Sequence, residues 1–244
     1  MRLDNKHIVV TGGASGIGQA GARCCASEGA RVAVVDIDED GINSTVQSIK
    51  DAGGNAEGYQ VDVREEDQVR DLFEKIGNSF DHIDGLIHAA GILEGAHVSV
   101  DEFEELTWDR VIDINLKGSF LVSKYTVPLI EKTGKGVMVL IASGAGVKGG
   151  SSSIAYGSSK GGAHGLSLVL AAQLASRNIR VHGVCPGGIE TPLKVRQLQV
   201  QADQTGRDVN QMVSGLGDPQ GVGKILSFLV SDEAEYVRGT IFTR

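Results

Sequence analysis

The sequence predicts an α/β protein: a single doubly wound domain in which a parallel sheet of about seven strands is covered by helices on both faces. Short β-branched runs alternate with helix-length segments from one end of the chain to the other, the pattern that right-handed βαβ units produce. No Pro-rich or Ser-rich linker interrupts the alternation and no repeat of solenoid period is present, so residues 1–244 read as one unit. The first apolar run passes directly into a glycine-rich turn and then a helix, the arrangement in which backbone N–H groups meet an anion.

Strands are expected at His7–Val10, Arg31–Asp36, Glu57–Gln60, Gly85–His88, Val137–Ile141 and Arg180–Val184, with a short one at Thr240–Phe242. Helices are expected between them at Gly16–Ser27, Glu39–Asp51, Glu65–Phe80, Asp101–Glu131, Ser153–Ser176 and Pro219–Ser231. Past the sixth strand, Cys185-Pro186-Gly187-Gly188-Ile189-Glu190-Thr191-Pro192 has to be a loop, because its prolines and glycines break either regular structure. It stands at the carboxyl end of a strand, where open α/β sheets bind ligands, and the polar, weakly periodic residues near 190–215 are expected to form a lid over the substrate.

Lys and Arg number 23 against 31 Asp and Glu, a formal charge of −8 with no long basic run, which argues against nucleic acid or an anionic membrane as partner. The N-terminal MRLDNKHIVV turns into a strand without the apolar stretch of a signal peptide or a membrane span, so a cytoplasmic address is expected. Three cysteines, two of them adjacent at Cys24 and Cys25, define no disulfide framework. Six histidines lie scattered without ligand spacing, and no metal site is expected from them.

The glycine turn reads Thr11-Gly12-Gly13-Ala14-Ser15-Gly16-Ile17-Gly18. Its glycines let the backbone approach a pyrophosphate, while the following helix offers partial positive charge. Asp36 ends the second strand, where a carboxylate accepts hydrogen bonds from adenosine ribose hydroxyls and repels a 2′-phosphate; with no Lys or Arg beside it in sequence, NAD is favoured over NADP. Helix N-capping is the other use open to Asp36, with Asp38 as a rival for it. Asp62 either caps the next helix or faces the adenine. Asn115 stands at helical spacing with Val111, Gly118 and Val122, and is either a satisfied core amide or a polar relay beside a site.

Tyr156 and Lys160 stand four residues apart and so share one face of the expected helix. A cation within about 4–6 Å lowers a phenol from its ordinary pKa of about 10, which would make Tyr156 a proton exchanger for an alcohol or carbonyl oxygen. The small residues after it, from Gly157 to Ala163, suit close approach of a cofactor or a second helix, and Leu166, Leu170 and Leu174 are expected to be core. His88 is expected to be a hydrogen-bonded structural residue, since no partner for catalysis stands near it in sequence.

Taken in order, Thr11-Gly12, Gly16-Ile17-Gly18, Asp36, Asp62-Val63, Ala90-Gly91, Asn115, Ser143, Tyr156 with Lys160, and Pro186-Gly187 with Thr191 resemble the short-chain dehydrogenase/reductase family over essentially the whole chain. The resemblance implies a Rossmann-type fold and an NAD-linked exchange between a secondary alcohol and a ketone. By the same resemblance, Ser143 holds the substrate oxygen, Tyr156 is the general acid/base, Lys160 lowers the phenol and binds the nicotinamide ribose, and Asn115 anchors a water leading from Lys160 to solvent. Gly12, Ser15, Gly16, Ile17 and Gly18 surround the phosphates and ribose, Asp62 and Val63 the adenine, and Ala90, Gly91, Pro186, Gly187, Ile189 and Thr191 the nicotinamide. A homodimer or homotetramer is implied as well. His88 departs from the family's asparagine, and the chain ends at Gly239-Thr240-Ile241-Phe242-Thr243-Arg244 without the Val-Asp-Gly-Gly tail of many relatives. Two other functions fit the same residues: an NADPH-linked 3-oxoacyl-thioester reductase, against which Asp36 argues, and a dinucleotide-binding module without turnover.

Overall fold

Ile8 to Val10, Val32 to Val35 and Val137 to Ile141 contain no polar side chain, as strands covered on both faces require. In the computed structural model, which describes residues 1–243, these runs join a seven-stranded sheet whose pairings are all parallel. Its strands are β1 (His7–Thr11), β2 (Arg31–Asp36), β3 (Asn55–Gln60), β4 (Gly85–His88), β5 (Gly136–Ile141), β6 (Ile179–Cys185) and β7 (Gly239–Phe242), in the order β3-β2-β1-β4-β5-β6-β7. The helices are α1 (Gly16–Ser27), α2 (Glu39–Asp51), α3 (Glu66–Phe80), α4 (Glu105–Ile112), α5 (Gly118–Glu131), α6 (Gly144–Lys148), α7 (Ile154–Leu174), α8 (Pro192–Thr205), α9 (Val209–Val213) and α10 (Pro219–Leu229).

Successive strand side chains point to opposite faces, and the core divides accordingly. Ile8, Val10, Val32 and Val34 pack with Ala22 of α1, Ile42 of α2 and Leu226 of α10; Val9, Ala33 and Val35 pack with Leu72 of α3 and Leu121 of α5. Each such aliphatic side chain, taken fully out of water, contributes roughly 1.5–3 kcal/mol. The sheet order reverses between β1 and β4, whose last paired residues are Thr11 and His88; the chain leaves these strands toward opposite faces and opens a crevice there.

The expected helix Asp101–Glu131 starts later, at Glu105, and runs unbroken to Glu131 through α4, a π turn at Asp113–Lys117 and α5, with a separate 3-10 turn at Val100–Glu102 before it. A π turn holds an extra residue, and here the amide of Asn115 secures it: Oδ1 accepts from the Ile92 N–H at 2.8 Å and Nδ2 donates to the Ile92 carbonyl at 2.9 Å. Helix α6 was not expected from its glycine-rich sequence, and most of the polar stretch near 190–215 folds as α8 and α9. Of the expected leucine stripe only Leu174 is fully buried; Leu170 is partly covered.

Contrary to the scattered look of the histidines, His7, His82 and Asp84 meet near the amino ends of β1 and β4 with ligand atoms within 4.8 Å of one another, close enough for one ion. Asp84 is already engaged there by the His7 backbone N–H at 2.8 Å and the Lys6 ammonium at 3.3 Å. Among the described residues, no helix is long and apolar enough to cross a membrane.

Candidate active site

Two glycines decide how closely anything approaches the ends of β1 and β4. Gly12 takes φ +69°, and a methyl group on it would lie 2.6 Å from the backbone of Ala89 and Ala90. A methyl on Gly18 would lie 2.1 Å from the Gly12 carbonyl oxygen, so α1 packs against the turn only with glycine there. Between them Ser15 heads α1 without making a side-chain capping bond, and its exposed hydroxyl lines the cleft with Gly16 and Ile17.

At the end of β2, the Asp36 carboxylate accepts from the N–H groups of Ala14 at 3.1 Å, Ile37 at 2.8 Å and Asp38 at 3.2 Å. Capping of α2 falls to Asp38, which accepts from the Gly41 N–H at 3.2 Å. Asp36 thus ties the glycine turn to β2 while facing the cleft. Asp62 is held by Arg64, whose Nε lies 3.0 Å from both carboxylate oxygens; this pairing keeps the Asp62 carboxyl below its usual range. Both line the cleft, with Val63 between them. Arg64 is thus a cleft residue that no local motif announces.

At the other end, Ser143 follows β5 and caps α6, its Oγ accepting from the Ala145 N–H at 3.2 Å. Ser153 caps α7 by accepting from the Tyr156 N–H at 3.2 Å, which fixes Tyr156 in the first helical turn. Lys160 follows one turn later, 5 % exposed, and its Nζ donates to the Ile141 carbonyl at 2.7 Å. The shared helix face is as expected, but the consequence for the phenol is not. Nζ is 6.0 Å from the Tyr156 ring centroid, and burial pushes the phenol above its ordinary value, while the Ser143 side chain pulls the other way. Burial acts on the amine too and brings Lys160 down to about 8.

Asn115 is fully buried, and its Nδ2 also donates to Ser159 Oγ at 2.9 Å, so it joins the Ile92 backbone to the helix carrying Tyr156 and Lys160. Gly91 completes this junction: a methyl there would come within 3.1 Å of Asn115 Oδ1 and 3.2 Å of Lys160 Nζ. The small residues of α7 serve close approach of this chain's own segments, since a methyl on Gly162 would meet Leu116 at 2.7 Å and one on Gly146 would meet Gly161 N at 2.5 Å. His88 is buried, with Nδ1 2.7 Å from Thr11 Oγ1 and Nε2 lacking a hydrogen-bond partner; burial, then the Lys160 charge, lowers it to about 3.

One cleft of about 1100 Å³ is lined by every expected site residue from Gly12 to Thr191 except Asn115, which lies behind the wall at Ile92. Pro186 accepts from the Gly144 N–H at 3.2 Å, which ties the loop after β6 to α6, and Thr191 caps α8 by accepting from the Lys194 N–H at 3.2 Å. Gly187 and Ile189 line the cleft between them. The loop after β4 and helix α8 add wall residues that sequence reasoning missed: His97, Lys194 and Gln197. His97 takes the left-handed φ of 63°, a conformation that nothing in the sequence around it announces.

The family model described as short chain dehydrogenase matches residues 6–202. A 3-oxoacyl-[acyl-carrier-protein] reductase of Thermotoga maritima is 37 % identical over 242 residues, covering 99 % of this chain and 96 % of the relative. Actinorhodin polyketide ketoreductase solved with NADPH superposes at a TM-score of 0.91 with 28 % identity, covering 98 % of this chain and 95 % of that one. A short chain dehydrogenase from Mycobacterium paratuberculosis bound to NAD superposes at 0.89 with 26 % identity, covering 100 % of this chain and 97 % of the other.

Proposed function

Because this chain belongs to the short-chain dehydrogenase family, whose members are nicotinamide-dinucleotide oxidoreductases acting on CH–OH groups, we propose that it interconverts a secondary alcohol and a ketone with NAD. The observation that carries this reading is the convergence of Ser143, Tyr156 and Lys160 on the same cleft as the glycine turn and Asp36. The cradle fits a dinucleotide: Gly12 and Gly18 leave no room for side chains, and Ser15 and the head of α1 are placed for its diphosphate. The nicotinamide supplies acceptance and release of the carbinol hydrogen with its electron pair.

The protein's share is the proton. In oxidation, the hydroxyl proton passes to Tyr156 Oη as the C–O bond becomes C=O, with Ser143 Oγ holding that oxygen; reduction runs the same transfer backwards. Lys160 would hold the ribose hydroxyls, and Asn115 fixes Ile92 directly and, through Ser159, the helix that carries Lys160. A phenol raised by burial is protonated at neutral pH, ready to donate to a ketone. Ketone reduction should therefore be level through neutral pH and fall on the alkaline side, while oxidation rises with pH as phenolate forms. Parallel kcat/KM profiles in the two directions check this; an oxidation rate falling from neutral to alkaline pH would contradict it.

Asp36 supports NAD in preference to NADP, since its carboxylate would face a 2′-phosphate. Asp36→Asn keeps one oxygen for the N–H groups of Ile37 and Asp38, which share Oδ1, gives up the Ala14 bond to Oδ2, and removes the charge. The NAD-over-NADP preference in kcat/KM is expected to fall at least about tenfold, the scale of one like-charge contact removed. The reductase relative favours a second reading, an NADPH-linked reduction of a 3-oxoacyl thioester. A parent protein preferring NADPH, and taking acyl thioesters over simple ketones, would select it. Leu106, Phe120, Leu168 and Val169 leave apolar surface exposed on α4, α5 and α7, which supports self-association into a homodimer or homotetramer, measurable by light scattering.

A further inference from the structure

Charge is segregated along the cleft. Its carboxylates, Asp36, Asp38 and Asp62, stand at the end of β2 and in the loops after β2 and β3, where the cation beside them is Arg64, paired with Asp62. The rest of its wall contains Arg110, Lys148, Lys160, Lys194 and Arg196 and no Asp or Glu, in a chain whose net charge is −8. Arg110 reaches Glu94 at 3.6 Å. Among the described residues, Lys148, Lys194 and Arg196 have no carboxylate within 4.0 Å.

Lys194 is the built part of this cation group. It is half-buried in the first turn of α8, and its Nζ donates to Gln197 Oε1 at 2.6 Å. Gln197 is 5 % exposed, and because an ammonium only donates, the amide oxygen must face Lys194 and the amide nitrogen must face His97 Nε2, at 3.2 Å. His97 in turn donates its backbone N–H to the Ser152 carbonyl at 2.6 Å, one residue before the cap of the helix that carries Tyr156. This chain of bonds sets the ammonium on the wall of the cleft, and among the described residues two of its three donors are unused. Burial without a carboxylate lowers the Lys194 pKa, so the folded protein holds this charge against its own desolvation.

We propose that Lys194, seconded by Arg196 and Lys148 at the mouth, binds an anionic group of the substrate, so that the alcohol or ketone carries a carboxylate, sulfonate or phosphate remote from its carbinol carbon. This rests on the cleft being an alcohol–ketone oxidoreductase site. The test uses secondary hydroxyalkyl carboxylates, sulfonates and phosphates of increasing chain length, each beside its fully methylated, uncharged ester. Turnover with NAD is measured, and so is binding to the NADH-loaded protein by calorimetry. At least one anion is expected to exceed its ester in kcat/KM and in affinity, with that preference falling at least about tenfold in Lys194→Gln and returning in Lys194→Arg. Lys50→Gln, on the far exposed end of α2, should keep it. Esters turned over as well as their anions would overturn the anion site and leave the oxidoreductase reading standing. Anions bound by the parent, weakly held by Lys194→Gln and never turned over would sustain the site and remove the reaction. Equal loss of NADH affinity in Lys194→Gln would assign the ammonium to the dinucleotide diphosphate and overturn the proposal.

Discussion

Tyr156→Phe is expected to lower kcat by a factor on the order of 10² or more in both directions, the scale of positioned acid/base catalysis, while the affinity for NADH changes little. The substitution is clean because everything that places the ring survives it. The helix cap from Ser153 goes to the Tyr156 backbone, and the ring stays in the first turn of α7. What disappears is one hydroxyl, in a surrounding that already disfavours its ionisation. A folded Tyr156→Phe protein with parental turnover would remove the phenol from the reaction.

Lys160→Met is expected to lose activity on a similar scale and to show a second effect with a definite sign. Burial brings the Lys160 amine from 10.5 to about 8 in the folded protein, so between those values the unfolded chain binds more protons than the folded one. Parent stability therefore gains with rising pH across that window, and below about 8 the full desolvation penalty of the ammonium is present. Met carries no such penalty, although it leaves the Ile141 carbonyl without its donor, a loss of about 1–3 kcal/mol. Stability of Lys160→Met relative to the parent is thus highest at neutral pH and declines as pH rises above about 8, which denaturant melts at neutral pH and pH 9 resolve. A constant difference would mean that the amine is not held neutral by its surroundings.

The alternation of strands and helices was legible because β-branched runs such as Val32 to Val35 are buried on both faces and nothing polar breaks them. Order across the sheet, and with it the crevice beside β1 and β4, was not legible from that alternation, since right-handed crossovers permit more than one strand order. The π turn was not legible: Asn115 sits at ordinary helical spacing, and the widening of the ladder shows only in the Gly118 N–H reaching back five residues to the Asp113 carbonyl. Local motifs announced Gly12, Gly18, Tyr156 and Lys160. The phenol's electrostatics were misjudged from spacing, because a lysine one turn away prefers the Ile141 carbonyl to the ring. Lys194, Gln197 and His97 were illegible for a simpler reason, that residues about a hundred positions apart meet only through the fold.

The most direct test of the account is isotopic. A panel of secondary alcohols, charged and neutral, deuterated at the carbinol carbon, is incubated with the protein and NAD, and the reduced dinucleotide is examined by mass spectrometry. Deuterium in the reduced nicotinamide, formed by the parent and on the order of 10² or more times more slowly by Tyr156→Phe, is the predicted result. Saturable NADH binding with no labelled cofactor from any alcohol would contradict the enzyme and leave a dinucleotide-binding module in its place.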